Sequence, residues 1–511
     1  MRQKRFTFGA VVLAVAFAVV AGLTLGPDLF GGGQSKGSEP VIGDPDPGAP
    51  VVLIVLDELP SASLMKADQT IDANRFPNFA EFASRSTWYR DNVAAGDFTA
   101  WAVPPILTGN HSNQEILPTN AVQPGNIFNL LGPGRRVHAM EEVTELCSKK
   151  FCPDGHQGQF PEIPMADDFI KAKFKLLDIG EINRWIAKMP SGRRTLSVLH
   201  LPLPHAPHRY LPNGLMYPGG PLGFTIPKFR NDWTITDAGI ALNQQRHMLQ
   251  AGYADLMVGR ILKKIRSNGD WDDSMIVVTA DHGHSYDPRY DRRDAAPGNV
   301  AATVNPPLMI KYPGQKSGFI SGKSTQAIDI VPTIAEVLGL KDRYPTEGVP
   351  IDRIPDDRRM TVNKDEMAQI TVTADQIRRQ RPDLLRESRR RFGTGGLWRL
   401  SDHAQLLGTR PGRPPVLRRA EVTIDSPERY VGYRPDGEKV PSFISGEVDG
   451  VKLNQTLAVA VNGQIAATGR TFRYAGAERF GVMVKPSYFR RGTNRIAVYT
   501  VATKDRLRRL K

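Results

Sequence analysis

The sequence predicts an α/β fold in which a mostly parallel β-sheet is sandwiched by helices. Residues 51–56 and 275–279 form continuous apolar runs rich in β-branched residues, a pattern typical of strands buried on both faces of a parallel sheet. Residues 243–267 show the apolar spacing of a helix, which should end at Asn268-Gly269 and lead directly into the second run. This is the crossover expected between parallel strands. Further strands are predicted at residues 136–140 and 195–201.

Composition limits the classes of protein that the chain can belong to. Its 511 residues are 40% hydrophobic and 23% charged, as in a globular protein long enough for two domains and linkers. The formal net charge of +14 favours anionic surroundings such as phosphate-bearing polymers or lipid headgroups, and a basic composition without any partner explains it equally well. There is no zinc-finger spacing and no basic heptad helix, so we expect no nucleic-acid partner.

The amino terminus predicts a membrane anchor. Arg2, Lys4 and Arg5 precede an almost uncharged run from position 6 to 25, which is long enough to span the hydrocarbon core of a bilayer. The flanking basic residues should keep the amino end in the cytoplasm and place the rest of the chain outside. The alternative is a secreted protein, because residues 16–18 resemble the small-residue cleavage site of a signal peptide.

Composition also divides the chain into five regions, and the two cysteines fall in the largest one. Cys147 and Cys152 have four residues between them, and in an exported chain they should form a disulfide. The predicted regions are an anchor at 1–25, a Gly/Pro-rich linker at 26–49, a large domain at 50–345 that contains the two apolar runs, a charged connector with solvated helices at 346–414, and a β-rich domain at 415–505.

The β-rich carboxyl-terminal region alternates short apolar runs with turn residues. Residues 457–465 predict a hairpin with an Asn462-Gly463 turn. This rhythm resembles galactose-binding-like β-sandwiches, which implies either glycan binding or packing against the catalytic domain.

Polar residues end both of the apolar runs in the catalytic region. Asp57 and Glu58 follow the first run, and Asp281 and His282 follow the second. The carboxyl ends of strands in an open α/β sheet are where ligands bind, and carboxylate oxygens combined with an imidazole nitrogen suit Mn²⁺ or Zn²⁺. The alternatives are solvated acids in a loop, a helix cap, and an Asp-Gly-type turn.

A third segment, from Phe98 to Gly109, shows a resemblance to a known family. With the two polar strand ends in this order, the chain resembles the sulfatase and alkaline-phosphatase superfamily over roughly residues 49–340. Sulfatases carry C-x-P-S-R-x-x-x-L-T-G, and Thr99 occupies the position of the cysteine that becomes formylglycine. Threonine is retained there in the phosphodiesterases and lipoteichoic acid synthases of the superfamily. Trp101, Ala102 and Val103 replace the sulfatase Pro, Ser and Arg, so formylglycine chemistry is not expected.

The resemblance implies an alkaline-phosphatase-like fold and a single divalent metal ion (Mn, Zn, Mg or Ca). Thr99 would be the nucleophile and a metal ligand, with Asp57, Asp281 and His282 as further ligands. Glu58 would be another ligand or a base beside the metal. The implied activity is hydrolysis or transfer of phosphate (di)esters by an exported, membrane-anchored enzyme. The alternatives are a sulfuric-ester hydrolase and a non-catalytic scaffold that binds envelope glycan. The partners would be an anionic phosphate- or sulfate-ester substrate, envelope glycan or lipid, and the membrane through the amino-terminal helix.

Other candidates for the site lie in two loops. His205 stands in a Pro-His-x-Pro loop similar to the one that holds a substrate-facing histidine in family members, where it would protonate the leaving oxygen or bind the anion. The remaining candidates are His208, His284, Arg292, Arg293 and Lys311.

Overall fold

The computed structural model of the chain describes residues 43–153, 178–219, 237–340, 345–393, 396–398, 400, 403–474 and 476–511. The predicted anchor at 1–25 and most of the predicted linker lie outside the described residues. Among the residues that are described, no helix combines the length and apolar character needed to cross a membrane.

The described secondary structure follows the predicted alternation of strands and helices. The helices are α1 (Pro77–Ala83), α2 (Thr99–Thr108), α3 (Ile127–Leu131), α4 (Ile179–Lys188), α5 (Asp237–Ser267), α6 (Val300–Thr303), α7 (Ile330–Val337) and α8 (Ala374–Phe392). The strands are β1 (Val51–Asp57), β2 (Thr87–Tyr89), β3 (Arg136–Met140), β4 (Thr195–Pro204), β5 (Met275–Ala280), β6 (Leu308–Lys311), β7 (Phe319–Ser321), β8 (Met360–Asn363), β9 (Gln369–Val372), β10 (Val416–Leu417), β11 (Glu421–Ile424), β12 (Phe443–Asp449), β13 (Thr456–Val461), β14 (Gln464–Arg470), β15 (Phe472–Tyr474), β16 (Ala477–Met483), β17 (Ile496–Ala502) and β18 (Arg506–Leu510).

Seven strands form the central sheet in the order β3-β4-β1-β5-β6-β2-β7. Strand β6 is antiparallel to both of its neighbours, and the other pairings are parallel. Strand β1 lies in the middle, with β4 on one side and β5 on the other. The predicted mostly parallel sheet is therefore confirmed, including the strands that carry the polar ends.

Both faces of the sheet are covered, and β1, β4 and β5 are buried at every position. Val51, Leu53 and Val55 point to one face, where they join a core that includes residues of α2, α3 and α7. Their neighbours Val52 and Ile54 point to the other face, where the core includes residues of α1, α4 and α5. The period of two along a strand thus assigns alternate residues of β1 to two separate helical layers.

The carboxyl-terminal region forms two further sheets, β10-β18-β17-β13-β14 and β11-β12-β16-β15. Val459 of β13 and Val482 of β16 lie in the same apolar core, so the sheets pack face to face as a sandwich. The predicted hairpin is confirmed: β13 and β14 are joined by Asn462 and Gly463, whose φ angles of 51° and 80° are those of a tight hairpin turn.

The charged segment before the sandwich is only partly solvated. Helix α8 buries Ile377, Leu385 and Phe392, and its Arg381 is 1% exposed. Arg381 Nη2 donates to Asp91 Oδ1 at 2.6 Å, which attaches the helix to the catalytic region. The expectation of solvated helices therefore holds for one face of α8, because the other face is packed.

The predicted disulfide between Cys147 and Cys152 is confirmed. Their Cα atoms are 5.9 Å apart, within the usual range for a disulfide.

Candidate active site

Three buried side chains meet where β1 and β5 end beside the middle of β4. Asp57, His200 and Asp281 each offer one ligand atom, and these atoms lie within 4.8 Å of one another. Side chains two residues apart lie on the same face of a strand. Asp57 comes two residues after Val55 and His200 two residues after Val198, and both valines face the α2 layer, so Asp57 and His200 lie on that face as well. Because adjacent parallel strands end at the same edge, the sheet brings together three residues that are distant in sequence.

The polar atoms of this cluster fit a cation. Asp57 Oδ1 and Asp281 Oδ2 are buried and have no hydrogen-bond partner among the described residues. Burial raises the pKa of Asp57 well above its usual value, and the carboxylates of Asp281 and Glu58 raise it further. A divalent cation would offset the free-energy cost of ionising Asp57 in the interior, because buried carboxylates are stable when they bind a metal. Two carboxylates with an imidazole form a donor set that suits Mn²⁺ or Zn²⁺.

Thr99 and His282 adjoin the same cluster. Thr99 Oγ1 lies 3.3 Å from His282 Nε2, and His282 Nε2 lies 3.5 Å from Asp281 Oδ2. His282 Nδ1 lies 2.8 Å from Gly283 O, to which it can only donate, so the lone pair of Nε2 faces Thr99. The structure therefore brings Thr99, Asp281 and His282 together, and joins Asp57 to them through Asp281.

Helix α2 positions Thr99 at its first turn. Every residue of the helix is buried, and Thr99 is 5% exposed. Asp97 stabilises this end of the helix, because its Oδ1 accepts from the Trp101 indole at 3.2 Å and its Oδ2 accepts from Ala295 N at 2.9 Å. Burial raises the pKa of Asp97 to about 6. Asp97 thus links helix α2 to the loop that follows Asp281.

Glu58 takes part in a different set of contacts from Asp57. Its Oε1 accepts from Arg293 Nε and lies 3.6 Å from His284 Nδ1. Although burial opposes ionisation, the Arg293 guanidinium holds the pKa of the Glu58 carboxyl well below its usual range. Glu58 is not one of the residues whose ligand atoms lie within 4.8 Å of one another. Glu58 is therefore placed to hold an arginine beside the candidate metal cluster.

His205 binds the same arginine. Arg293 Nη2 donates to His205 Nε2 at 2.6 Å, and the Arg293 guanidinium lies 5.0 Å from the centre of the Phe98 ring. Burial lowers the pKa of His205 to about 3, so the imidazole is neutral at physiological pH. In this geometry His205 Nε2 accepts from Arg293 and helps to fix the orientation of its guanidinium.

The other candidates separate into near and distant residues. His284 is buried beside Glu58 and stacks on Tyr286 at 4.4 Å, and burial lowers the pKa of Arg292 next to the site to about 10. His208 packs edge-on against His247 in the interior. Lys311 lies at the opposite end of the central strands, where it pairs with Ile276 near the start of β5 and donates to carbonyls that include Tyr312 O.

A groove of about 870 Å³ borders this region. Its lining includes His284, Tyr286 and several arginines of α8, whereas Thr99, His205 and Arg293 do not line it. The groove therefore borders the site on the side of His284 and helix α8, and not on the side of Thr99.

Sequence reasoning missed His200 and did not single out Arg293. His200 follows Leu196 and Val198 with a period of two, so a histidine on the face that carries Asp57 was the available signal. Nothing local distinguishes Arg293 from Arg292, because the choice depends on contacts with the distant residues Glu58 and His205.

The sequence is similar to known proteins over part of its length. Residues 179–340 match the Sulfatase family model. The multifunctional alkaline phosphatase superfamily protein PehA of Trinickia caryophylli is 34% identical over 87 residues, which are 17% of this chain and 16% of that protein. The chain thus spans about a sixth of the length of that curated relative.

Solved structures with similar folds are distant. A phosphonate monoester hydrolase from Silicibacter pomeroyi superposes with a TM-score of 0.44 and 18% identity, covering 62% of this chain and 80% of that one. A structure of a 2-O GAG sulfatase superposes with a TM-score of 0.44 and 13% identity, covering 64% and 81%. Residues 179–340 therefore match a sulfatase-family domain, and a shorter stretch of the chain is similar to a member of the alkaline phosphatase superfamily.

Proposed function

We propose that this superfamily hydrolase is a metal-dependent enzyme that cleaves phosphate esters, diesters above all, with Thr99 as its nucleophile. The observation that carries the proposal is the placement of a threonine hydroxyl 3.3 Å from His282 Nε2 beside two buried carboxylates. Each of these carboxylates has one oxygen that lacks a hydrogen-bond partner among the described residues. An alcohol at this position can form a phosphoester, whereas sulfatases of the family use an aldehyde hydrate.

Asp57, His200 and Asp281 would hold one divalent cation, and Thr99 and His282, which adjoin Asp281, would complete the set. Such an ion lowers the pKa of a bound hydroxyl and offsets negative charge on a transferring phosphoryl group. Among the described residues, the cluster of Asp57, His200 and Asp281 is the group of acids and histidines that meets the distance requirement for a metal, which favours one ion over two.

The residues of the chain would divide the remaining work between attack and anion binding. Thr99 Oγ1 attacks phosphorus and its proton passes to water. The bond from phosphorus to the leaving oxygen breaks, and that oxygen takes a proton from water and departs as an alcohol. Arg293, fixed by Glu58 and His205, would bind a nonbridging oxygen of the substrate. The phosphothreonine is then cleaved by water or by an acceptor alcohol, so hydrolase and transferase differ only in the acceptor.

Sulfate-ester hydrolysis is the second candidate, since the matching family model is Sulfatase. Thr99 argues against it, because the superfamily chemistry for sulfate uses formylglycine and position 99 cannot form that group.

We also propose that the chain is anchored in the cell membrane by residues 1–25, with the catalytic part outside, and that signal cleavage and secretion are the alternative. The support is the basic, then apolar amino terminus and the Cys147–Cys152 disulfide, since disulfides persist mainly outside the cytoplasm. Protease accessibility in intact cells, with amino-terminal sequencing, would distinguish an anchored chain from a secreted one.

The test of the chemistry uses the full-length chain, stripped with chelator and reloaded separately with Mn²⁺, Zn²⁺, Mg²⁺ or Ca²⁺. Bis-p-nitrophenyl phosphate should turn over faster than p-nitrophenyl phosphate and far faster than p-nitrophenyl sulfate. Thr99→Ala should lower the diesterase kcat by roughly 10³-fold or more with bound metal still measurable, as losses of a nucleophile commonly do. Thr99→Ser should keep part of the activity because it retains the oxygen.

Thr108→Ala is the matched control, because Thr108 ends the same helix and its hydroxyl donates to Pro104 O at 3.0 Å, within the helix itself. It should leave kcat within a few fold of the wild type. Full diesterase activity in metal-loaded Thr99→Ala would remove Thr99 as nucleophile, and faster turnover of the sulfate ester by the wild type would overturn the substrate assignment.

A further inference from the structure

Positive charge is concentrated in the carboxyl-terminal sandwich. Residues 415–511 contain 18 lysines and arginines against nine aspartates and glutamates, although they make up less than a fifth of the chain. Much of this excess lies along one sheet edge, where β10 pairs in parallel with β18 in the register Val416↔Arg509. The backbone of Lys511 continues the pairing, since its N donates to Ala420 O at 3.1 Å.

Six exposed basic residues at this pairing form what we call the basic edge. No acidic residue occurs within the segments 410–420 and 506–511. The nearest acids in sequence are already engaged, Glu421 with Lys511 at 3.7 Å and Asp505 with His403 and Gln405. The basic edge consists of Arg418, Arg419, Arg506, Arg508, Arg509 and Lys511. None of its five arginines forms an ion pair with a residue that the structure describes.

The basic groups project from both sides of the edge. In β18, Leu507 packs against a small outer apolar cluster and Leu510 packs into the interior of the sandwich, so the two leucines mark opposite faces. Arg508 and Arg509 therefore point to opposite faces as well. At about 3.3 Å per residue, the run from Arg506 to Lys511 extends roughly 17 Å.

This shape selects among anionic partners. A flat bilayer surface contacts one face of a sheet edge, whereas a flexible linear chain can follow the edge and reach guanidinium groups on both faces. Arginine binds phosphate oxygens through two parallel hydrogen bonds, so phosphate groups repeated along a chain match a row of arginines.

We propose that the basic edge binds a linear, phosphate-bearing polymer that lies along β18. This binding function is independent of the proposed phosphoester cleavage, because the basic edge belongs to a different sheet from the one that carries the candidate metal cluster.

The experiment measures binding of the full-length chain, in neutral detergent, to fluorescent inorganic polyphosphate as a function of salt. The wild type should bind with a log–log salt slope that reflects several phosphate contacts. Arg508→Gln/Arg509→Gln should flatten that slope by about 1.4, since each contact with a flexible polyanion contributes about 0.7. Arg418→Gln/Arg419→Gln should do the same on its own, which guards against a folding defect in one variant.

The matched control is Arg470→Gln/Arg473→Gln, which removes two arginines at β14 and β15, the opposite edges of the two sheets. The Kd of this variant for polyphosphate should stay within about twofold of the wild-type value. Equal weakening by the control and the basic-edge variants would overturn the proposal in favour of a diffuse charge effect.

Vesicles of phosphatidylglycerol and phosphatidylcholine supply the second arm. If the basic-edge variants lose binding to anionic vesicles and keep binding to polyphosphate, the occupant is a membrane surface and the proposal is wrong. Diesterase activity on the aryl diester should be unchanged in every variant, so failure of this inference is distinguishable from failure of the proposed chemistry.

Discussion

Asp57 and Glu58 are adjacent in sequence and serve different clusters. Asp57 ends β1 on the α2 face, and Glu58 has a φ of 59°, in the left-handed region, which turns its side chain towards Arg293 and His284. A glutamate rarely adopts this conformation, so the surrounding contacts must hold it there. One strand end therefore supplies both a candidate metal ligand and the anchor of an arginine.

His200 is the residue whose role is easiest to test by metal binding. His200→Asn should weaken the binding of Mn²⁺ or Zn²⁺ at least roughly tenfold, because even groups that only support ligands commonly cost that much. Isothermal titration of the metal-free chain measures the change. His138→Asn is the control, because His138 lies on β3 and hydrogen-bonds Trp185 O at 2.8 Å, away from the cluster. An unchanged metal Kd in His200→Asn would contradict a ligand role.

The buried histidines predict a pH dependence of stability. Burial lowers the pKa of both His205 and His284 from 6.5 to about 3. As the pH falls below 6.5 the unfolded chain takes up protons that the folded chain refuses, so the stability present above pH 6.5 is lost progressively towards pH 3.

His284→Gln isolates the contribution of one histidine. Below pH 6 the metal-free wild type should lose up to about 1.4 kcal/mol more unfolding free energy per pH unit than the variant. Urea unfolding in chelator at pH 7, 6 and 5 checks this. Parallel pH profiles of the two proteins would show that His284 protonates freely in the folded state.

At the scale of elements, the end of α2 shows why the helix that begins at Thr99 ends on a glycine. Gly109 has a φ of 75°, and a Cβ added there would lie 2.8 Å from Thr346 Cγ2. The position therefore demands both a left-handed backbone and empty space. The Leu107-Thr108-Gly109 sequence thus ends α2 and sets the direction in which the chain leaves the helix.

Gly109→Ala should lower the free energy of unfolding by about 2 kcal/mol, from backbone strain and the close contact together. Gly269→Ala is the matched control, since Gly269 also has a positive φ, 81°, and has no atom within 4 Å of an added Cβ. Gly269→Ala should lower the free energy of unfolding by about 1 kcal/mol, because it introduces backbone strain without a close contact. Chemical denaturation of both variants measures the difference, and equal costs would mean that Thr346 moves aside freely.

At the scale of the whole molecule, the sandwich and the catalytic region share a buried contact. Arg246 of α5 is 1% exposed and its guanidinium lies 4.6 Å from the ring of Phe443 on β12. Met216 adds backbone pairing across the same contact, since its N donates to Glu438 O at 3.0 Å and its O accepts from Val440 N at 2.8 Å. Two predicted domains are thus joined by an interface with an interior-like core.

Phe443→Ala should destabilise the chain by about 3–5 kcal/mol, as the loss of a large buried aromatic side chain usually does. Because the contact is shared, hydrogen exchange should rise in α5 as well as in β12. Val431→Ala is the control, since Val431 is 62% exposed, and it should change neither. Faster exchange confined to the sandwich would show that the two parts unfold independently.

The sequence by itself determined the strands of the central sheet and most of the strand-end acids. Continuous apolar runs are local patterns, and a parallel sheet is the arrangement that buries both faces of such strands. The order of the polar strand ends and the threonine segment was equally readable along the chain. The Asn462-Gly463 hairpin and the disulfide were predictable for the same reason, since each depends on residues close in sequence.

Only the tertiary structure decided which side chains share a site. His200 joins Asp57 because β4 pairs with β1 in one register, and a shift of one residue would turn it to the other face. Arg293 rather than Arg292 contacts Glu58 and His205 because long-range packing fixes the loop. The basic edge likewise exists because β10 pairs with β18 from the far end of the domain. Proximity between distant segments is set by the whole packed chain, and no local pattern of residues encodes it.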